Sequence, residues 1–378
     1  MPTTLAELRS FAVGRSLFAP TSLARAIRRL GFVQADPIRA PARAQDLILR
    51  HRVKGYRVGD LERHYARLGI EEDFFINYGF LAPEFRALMH PRGGLEPLST
   101  ARARQAKQLL AFVARHGAVH PREVDRHLGS GTETNYWGGA SNATTRLLDA
   151  LHYRGSLRVA RRDAGIRIYA LATSTQRASA PDPAATLDAL IDVAVRKYAP
   201  LPTASLSQLI GRLRYGVPQW RAELKGAALR ARQRLSSAHV AGTDWFWPAQ
   251  ETPRAAALAF DSAPDQARLL APFDPVVWDR RRFELLWGWA YRFEAYTPKA
   301  KRRLGYYALP LLWRAHVVGW ANLTFESQHL TASFGYVSGR PPSACAFQPA
   351  LDDELSRIER FLSVRAARSQ GRKRASAL

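Results

Sequence analysis

Cysteine is nearly absent from this chain. Cys345 is the only one in 378 residues, so neither a disulfide framework nor an all-cysteine zinc or iron–sulfur site can be built, and a reducing cytoplasm is the natural compartment. No apolar run reaches membrane-spanning length, and Glu7 and Arg9 spoil a signal-peptide reading of the N-terminus. The expectation is a cytoplasmic protein with no membrane partner. There is no Walker phosphate loop, no dinucleotide-binding glycine motif, and no zinc signature among the ten histidines. Nothing points to ATP- or NAD-driven chemistry, and neither metal nor cofactor is expected. Lysine is scarce too, with seven among 56 basic residues.

What the chain has instead is arginine. The 56 basic residues face 32 acidic ones, giving a formal charge of +24 and a pI near 11.0, the electrostatic footprint of a polyanion partner, nucleic acid first. A GC-rich coding bias explains arginine over lysine but not the excess over acids. The guanidinium fork suits bidentate contact with phosphates and guanine edges. At 47% hydrophobic the chain has ample material for several cores.

Periodicity predicts helices at Leu5–Val13 and Thr21–Leu30, the second stopped by Gly31, which reads as a helix-turn-helix core. A clearer unit follows at 101–180, with helices at Gln105–His116, His120–Leu128 and Asn142–Arg154. After them, 157–160 and 166–169 alternate like a hairpin around a polar turn. Three helices and a hairpin make a winged helix. The order recurs at 181–265, with helices at Thr186–Tyr198, Ser205–Arg212 and about Trp220–Arg234, then a wing within Ser236–Pro248. Strand-like aromatic segments at Phe283–Tyr296, Gly305–Trp313 and His316–Phe325 predict a small β-barrel over 266–350. The last part, 351–378, holds an amphipathic helix, Asp352–Arg365, and the basic tail Arg372-Lys373-Arg374. The expected fold is α+β: tandem winged-helix modules, the first over 1–100, followed by a C-terminal β-barrel.

One segment offers chemistry. In Gly31-Phe32-Val33-Gln34-Ala35-Asp36-Pro37 the proline pushes Asp36 toward an extended conformation. Extended residues two apart share a face, so Gln34 and Asp36 would present an amide and a carboxylate to one side, able to orient and deprotonate a water. Asp36-Pro37 also reads as an N-cap and first helical residue of a helix running to about Arg50. The two readings are compatible, since a capping carboxylate keeps a second oxygen.

The stretch 30–38, with Ala42-Arg43-Ala44-Gln45-Asp46-Leu47 behind it, resembles the catalytic region of the YcaQ-like (AlkX/AlkZ-type) winged-helix DNA glycosylases, in their Asp-bearing Gln-x-Asp branch. A second match, Phe273-Asp274-Pro275-Val276-Val277-Trp278-Asp279-Arg280-Arg281-Arg282, followed by Tyr296, Lys299, Lys301-Arg302-Arg303 and Gly305-Tyr306-Tyr307, resembles their C-terminal domain. The two in this order span most of the chain. The resemblance implies tandem winged helices plus a β-barrel. It also implies an activity that removes N7-alkylated guanine and unhooks interstrand crosslinks, with Asp36 activating water and Gln34 positioning it. Gln45 stands where the family pattern carries a histidine, and Phe74–Phe80 also lacks the expected histidine; these departures bear on substrate range more than on reaction type.

The chemistry suits so spare a site. N7 alkylation makes guanine cationic, so it departs as a neutral base with little need of a general acid. The oxocarbenium-like sugar left behind needs only a carboxylate and a water. A base tethered to both strands cannot be fully extruded, so an open basic cleft is expected. No lysine neighbours Gln34 in sequence, which predicts a monofunctional enzyme. For phosphate contact the candidates are Arg39 and Arg43, one turn apart on the expected helix; Arg161 and Arg162 at a wing tip; Arg280, Arg281 and Arg282; and Lys299, Lys301, Arg302 and Arg303. Asp279 and Glu284 could instead neutralise the 280–282 run internally, Arg39 and Arg43 could be a solvated helix face, and the tryptophans read as core. The expected partner is duplex DNA carrying alkylated or crosslinked guanine, met by a monomer associated with the nucleoid. The alternative from another class is a non-catalytic winged-helix regulator, which would usually dimerise.

Overall fold

The computed structural model describes residues 2–129, 132–134, 140–172, 182–255 and 265–363; the basic tail lies outside them. Helix α1 (Leu5–Ser16) opens on a capping box in which Thr4 and Glu7 satisfy each other's backbone amides. Next come α2 (Leu23–Leu30), β1 (Phe32–Gln34), α3 (Ala44–Leu49), α4 (Asp60–His64), β2 (Glu71–Phe74) and β3 (Tyr78–Leu81). After the linking helix α5 (Pro83–Met89) come α6 (Thr100–His116), α7 (Pro121–Leu128), the short pair β4 (Thr132–Thr134) and β5 (Ala140–Asn142), α8 (Ala143–Tyr153), β6 (Leu157–Asp163) and β7 (Ile166–Leu171). Then follow α9 (Pro183–Tyr198), β8 (Leu201–Pro202), α10 (Thr203–Arg212), α11 (Leu224–Arg234), β9 (Ser236–Val240) and β10 (Thr243–Trp247).

One topology recurs three times: helix, short strand, two helices, hairpin, with the short strand paired to the second hairpin strand. The sheets run β1-β3-β2 and β8-β10-β9. In the middle unit the bridge between Val119 and Tyr169 of β7 stands in for the short strand. The helix-turn-helix expected from the first two helices is distributed differently. α2 joins α3 and α4, while α1 packs elsewhere, its Phe11 edge-on to Trp247 at 6.4 Å.

The C-terminal part contains β11 (Ala267–Leu269), α12 (Arg280–Trp287), β12 (Leu309–Trp313), β13 (His316–Glu326), β14 (His329–Tyr336) and α13 (Phe347–Leu362). Two expectations change here. Phe283–Tyr296 is not strand: its first part is α12, started by the Asp279 carboxylate on the Arg282 amide (3.0 Å) and stopped by Gly288 in the left-handed region, and the remainder is irregular. Aromatic content imitated a strand, and the cap decided otherwise. The barrel is, among the described residues, an open antiparallel sheet of order β11-β12-β13-β14. Its β11 edge is covered by α13, whose buried Glu354 accepts from the Leu269 amide while Arg357 donates to the Ala267 carbonyl, a covered edge of the kind that blocks further pairing.

The cores do not follow chain order. One joins the first two units to the C-terminal sheet and α13, through residues such as Val33, Leu148, Leu309 and Ile358. A second joins α1, Phe32 and Phe75 of the first unit to the third unit. The second sequence segment singled out above is tied to the turn just beyond α3, a few residues past the first, by an ion pair with both side chains fully buried. The Arg52 guanidinium grips Asp274 through Nη1 and Nη2 (2.8 and 3.0 Å) and donates to the carbonyls of Ser16 and Ile48.

Candidate active site

β1 ends at Gln34, paired across to Gly79 of β3. A Cβ on Gly79 would lie 2.3 Å from the Val33 carbonyl oxygen and 2.7 Å from the Phe32 ring, so the two strands approach this closely only because residue 79 is glycine. The ladder runs one residue further, the Ala35 amide donating to the Tyr78 carbonyl. Gln34 and Asp36 therefore sit on one side of an extended segment, both largely buried.

The helix expected from Asp36 to about Arg50 does not form. Helical residues begin only at Ala44, and 35–43 is an irregular loop. Asp36 Oδ1 accepts from the Ile38 amide (2.9 Å), an Asx turn that competes with helix entry, and Pro41 imposes a second break. Asp36 is therefore not a helix cap, and Arg39 and Arg43 do not share a helix turn. Gln45, the first departure from the family pattern, accepts the Asp36 amide on its Oε1 at 3.2 Å.

Asn77, in the second departing segment, donates from Nδ2 to Gln34 Oε1 (3.1 Å), and Arg212 of α10 donates to Asn77 Oδ1 (3.3 Å). This relay fixes both amides: Gln34 accepts on its oxygen and turns its NH2, a donor, to whatever occupies the site. Asp36 is also half used. Oδ1 is held, and Oδ2 accepts no hydrogen bond among the described residues. Burial raises the Asp36 pKa above the ordinary carboxylate value, against a smaller lowering by the Ile38 amide, which makes it a stronger base once ionised.

Opposite Asp36 lies the C-terminal segment 293–307. The carboxylate is close enough to add to the raised pKa values of Tyr296 and Tyr307, which burial raises first. Phe293 meets Phe273, Tyr296 and Tyr307 edge-on at 5.2, 6.1 and 5.3 Å, and the Tyr307 hydroxyl is buried without a hydrogen-bond partner among the described residues. Beyond this aromatic group the run Lys299–Arg303 turns back on itself because one oxygen of Glu294 accepts the amides of Arg303, Leu304 and Gly305 (2.9, 2.7 and 3.3 Å).

The arginines sort into two kinds. Arg282 is wholly buried and donates to the carbonyls of Tyr198 and Pro275; it is a structural strut, not a phosphate contact. Arg43 stands at the N-terminal boundary of α3 without capping it, pairs with Glu62 and lies against Gly165. Arg162, expected at a wing tip, is committed to Glu72 through two bonds of 2.8 and 2.6 Å. Arg280 donates to the Pro272 carbonyl and covers the Tyr291 ring at 4.6 Å. Arg161 makes an exposed pair with Asp163. Arg302 donates to Thr297 and lies over Tyr306. Arg39, Arg281, Lys299, Lys301 and Arg303 are exposed and make no ion pair among the described residues. Of the lysines, folding brings Lys197 to the segment: its ammonium donates to the Phe32 carbonyl. It is fully buried, and burial first, then Arg52, push its pKa down to about 7. Sealed between the rings of Phe32 and Tyr198, it has no opening to a substrate.

A family model described as DNA glycosylase AlkZ-like matches residues 27–361. The chain belongs to the AlkZ-like DNA glycosylase family. This glycosylase is therefore a hydrolase acting on N-glycosyl bonds, and the non-catalytic regulator gives way to an enzyme. Among solved structures the chain is similar to a Streptomyces sahachiroi protein, DNA glycosylase AlkZ. The TM-score is 0.59 at 19% identity, over 96% of this chain and 97% of that one, a likeness of fold along the whole length.

What sequence reasoning missed in the glycosylase is chiefly the support around Gln34 and Asp36. Asn77 and Gln45 drew notice only as departures, Arg212 not at all, and Glu294 carried no motif.

Proposed function

We propose that this enzyme hydrolyses the N-glycosidic bond of N7-alkylated, cationic purines in duplex DNA, including guanines held in interstrand crosslinks. Asp36 serves as the base for the attacking water and Gln34 orients it. The observation that carries the reading is the half-used Asp36 carboxylate: one oxygen is held by the Ile38 amide and the other accepts no hydrogen bond among the described residues, beside a glutamine whose free end is a donor. A water between them would accept from the Gln34 amide and give its proton to Asp36 as it attacks the sugar. The same carboxylate stabilises the positive sugar as the base departs neutral. We read the thrice-repeated topology as winged helices and the C-terminal sheet as part of a barrel-like domain, arranged along a duplex by a monomer. Arg39, Arg281, Lys299, Lys301 and Arg303 are the phosphate contacts this reading favours, with Arg161 beside them. The sealed position of Lys197 supports a monofunctional reaction that leaves an abasic site.

The test uses duplexes carrying N7-methylguanine or a nitrogen-mustard crosslink. Wild type is expected to release base from both, with Asp36→Asn and Gln34→Ala slowed about 10²–10⁴-fold, the range for loss of a positioned base, while both still bind DNA. Full activity of Asp36→Asn would refute the assignment, and a borohydride-stable protein–DNA adduct would refute monofunctionality.

A further inference from the structure

Where the turn after α3 meets β11 and the end of α13, the surface opens into a cavity of about 540 Å3. Its charged lining has one sign. Arg50, Lys54, Arg57, Arg268, Arg357 and Arg360 line it, and among the described residues no aspartate or glutamate does. The acid that serves this cluster from behind is Glu354, fully buried and already divided between Arg50 and Arg357 at 2.5 and 3.1 Å and the Leu269 amide. Lys54, Arg57, Arg268 and Arg360 make no ion pair among the described residues. Arg50 keeps its buried Nε without an acceptor among the described residues. His51, also in the lining, is held neutral by burial and by Arg50 and Arg268, its pKa well below the usual value. Burial likewise pushes Arg268 down to about 10, with Arg52, Arg357 and Arg50 adding to the shift and Glu354 offsetting part of it. Concentrated like charge at a partly buried concavity is an arrangement that an anion relieves.

The cavity does not end there. Pro20, Val53 and Lys54 also line an adjoining cleft of about 760 Å3 that carries Arg25 and Arg29 and again no acid. A single small anion at Lys54 would leave the charge at either end uncompensated, whereas a chain of phosphates reaches both.

We propose that these joined clefts form a second anion site, distinct from Gln34 and Asp36, that takes a ligand carrying a run of two or more phosphate groups. The inference stands on the cavity and its charge and does not depend on the chemistry assigned to Asp36. A phosphate run reaches the site either as nucleic-acid backbone or as free polyphosphate, and the two sources are separable by experiment.

The test compares full-length wild type with the triple variant Lys54→Gln, Arg57→Gln, Arg360→Gln, whose side chains make no ion pair or hydrogen bond among the described residues. A control triple of equal charge, Arg104→Gln, Lys107→Gln, Arg115→Gln, lies on the exposed side of α6. Sodium tripolyphosphate is titrated calorimetrically, and a long undamaged duplex by fluorescence anisotropy over a salt series. The cleft triple is expected to lose about tenfold or more in tripolyphosphate affinity, with the control triple and Asp36→Asn unchanged. If the duplex also binds the cleft triple more weakly than the control, with a salt slope reduced by about 2–3 as phosphate contacts are lost, the occupant is nucleic-acid backbone. If the duplex treats both triples alike, it is free polyphosphate. Tripolyphosphate that binds wild type and cleft triple equally, or not at all, with no specific loss of duplex affinity, overturns the proposal.

Discussion

Replacing Arg52 with methionine tests the join between the two halves of the site. The substitution keeps most of the aliphatic volume and removes four hydrogen bonds: two to Asp274 and one each to the carbonyls of Ser16 and Ile48. Asp274 would remain a fully buried carboxylate with the Val276 amide (3.0 Å) as its surviving donor among the described residues. Stranding a buried charge in this way costs about 3–5 kcal/mol, a large part of the ~5–15 kcal/mol that holds an ordinary domain together. The double variant Arg52→Met, Asp274→Leu removes both charges and should recover much of that loss, because an apolar pair of similar volume is often as stable as a buried ion pair. Urea unfolding of the wild type, both single variants and the double variant supplies the thermodynamic cycle, with an expected coupling of about 2 kcal/mol or more for residues in direct contact. Base release should fall with stability in Arg52→Met and return in the double variant. A loss under about 1 kcal/mol in Arg52→Met, or a coupling near zero, would mean that the pair is satisfied some other way and that the reasoning is wrong.

Three further expectations concern the site and its surroundings. Because burial raises the Asp36 pKa, base release should decline on the acid side at a pH above that of an ordinary aspartate. The same shift means the folded state holds its proton longer than the unfolded chain, so ionised Asp36 lowers stability at neutral pH and Asp36→Asn should melt higher than wild type; a variant that melts lower would contradict the shift. Gly79→Ala forces a methyl against the Val33 carbonyl and Phe32 ring and should cost about 1–3 kcal/mol, with activity falling further than stability because Gln34 moves with the strand; unchanged kcat would rule this out. Lys197, with a pKa near 7 in the fold against 10.5 when exposed, binds fewer protons folded than unfolded between those values. Stability should therefore rise with pH from about 7 toward 10.5, and Lys197→Met should flatten that slope in denaturation midpoints.

Legibility divided along physical lines. Helices α6 through α11 and their hairpins could be read because caps, glycine stops and period switches are local, and the shared order of elements made the repeat visible. Extended spacing and a following proline put Gln34 and Asp36 on one face, and the family resemblance gave them their role. Their partners could not be found, because Asn77 comes from the turn between β2 and β3 and Arg212 from α10, which only folding brings together, with 43 and 135 residues separating the hydrogen-bonded pairs. The 35–43 loop was misread because Asp-Pro fits a helix start as well as an Asx turn, and Pro41 was the signal that separates them. The run 280–282 divides for a related reason: consecutive arginines on a helix face different ways, so Arg281 is exposed while Arg282 is sealed in the interior, and composition cannot tell them apart.

The interleaving of the two large cores has a consequence for the order in which the chain can be completed. Phe32 and Phe75 find their burial against residues beyond 187, and Val33 belongs to a core closed by residues 267–362. During vectorial synthesis the segment bearing Gln34 and Asp36 would emerge early and wait for most of the polypeptide before its apolar surfaces are covered. The proposed active centre is thus among the last places to become native, and a ribosome-bound fragment ending before α9 should be sticky, protease-sensitive and inert, however well its middle unit has folded.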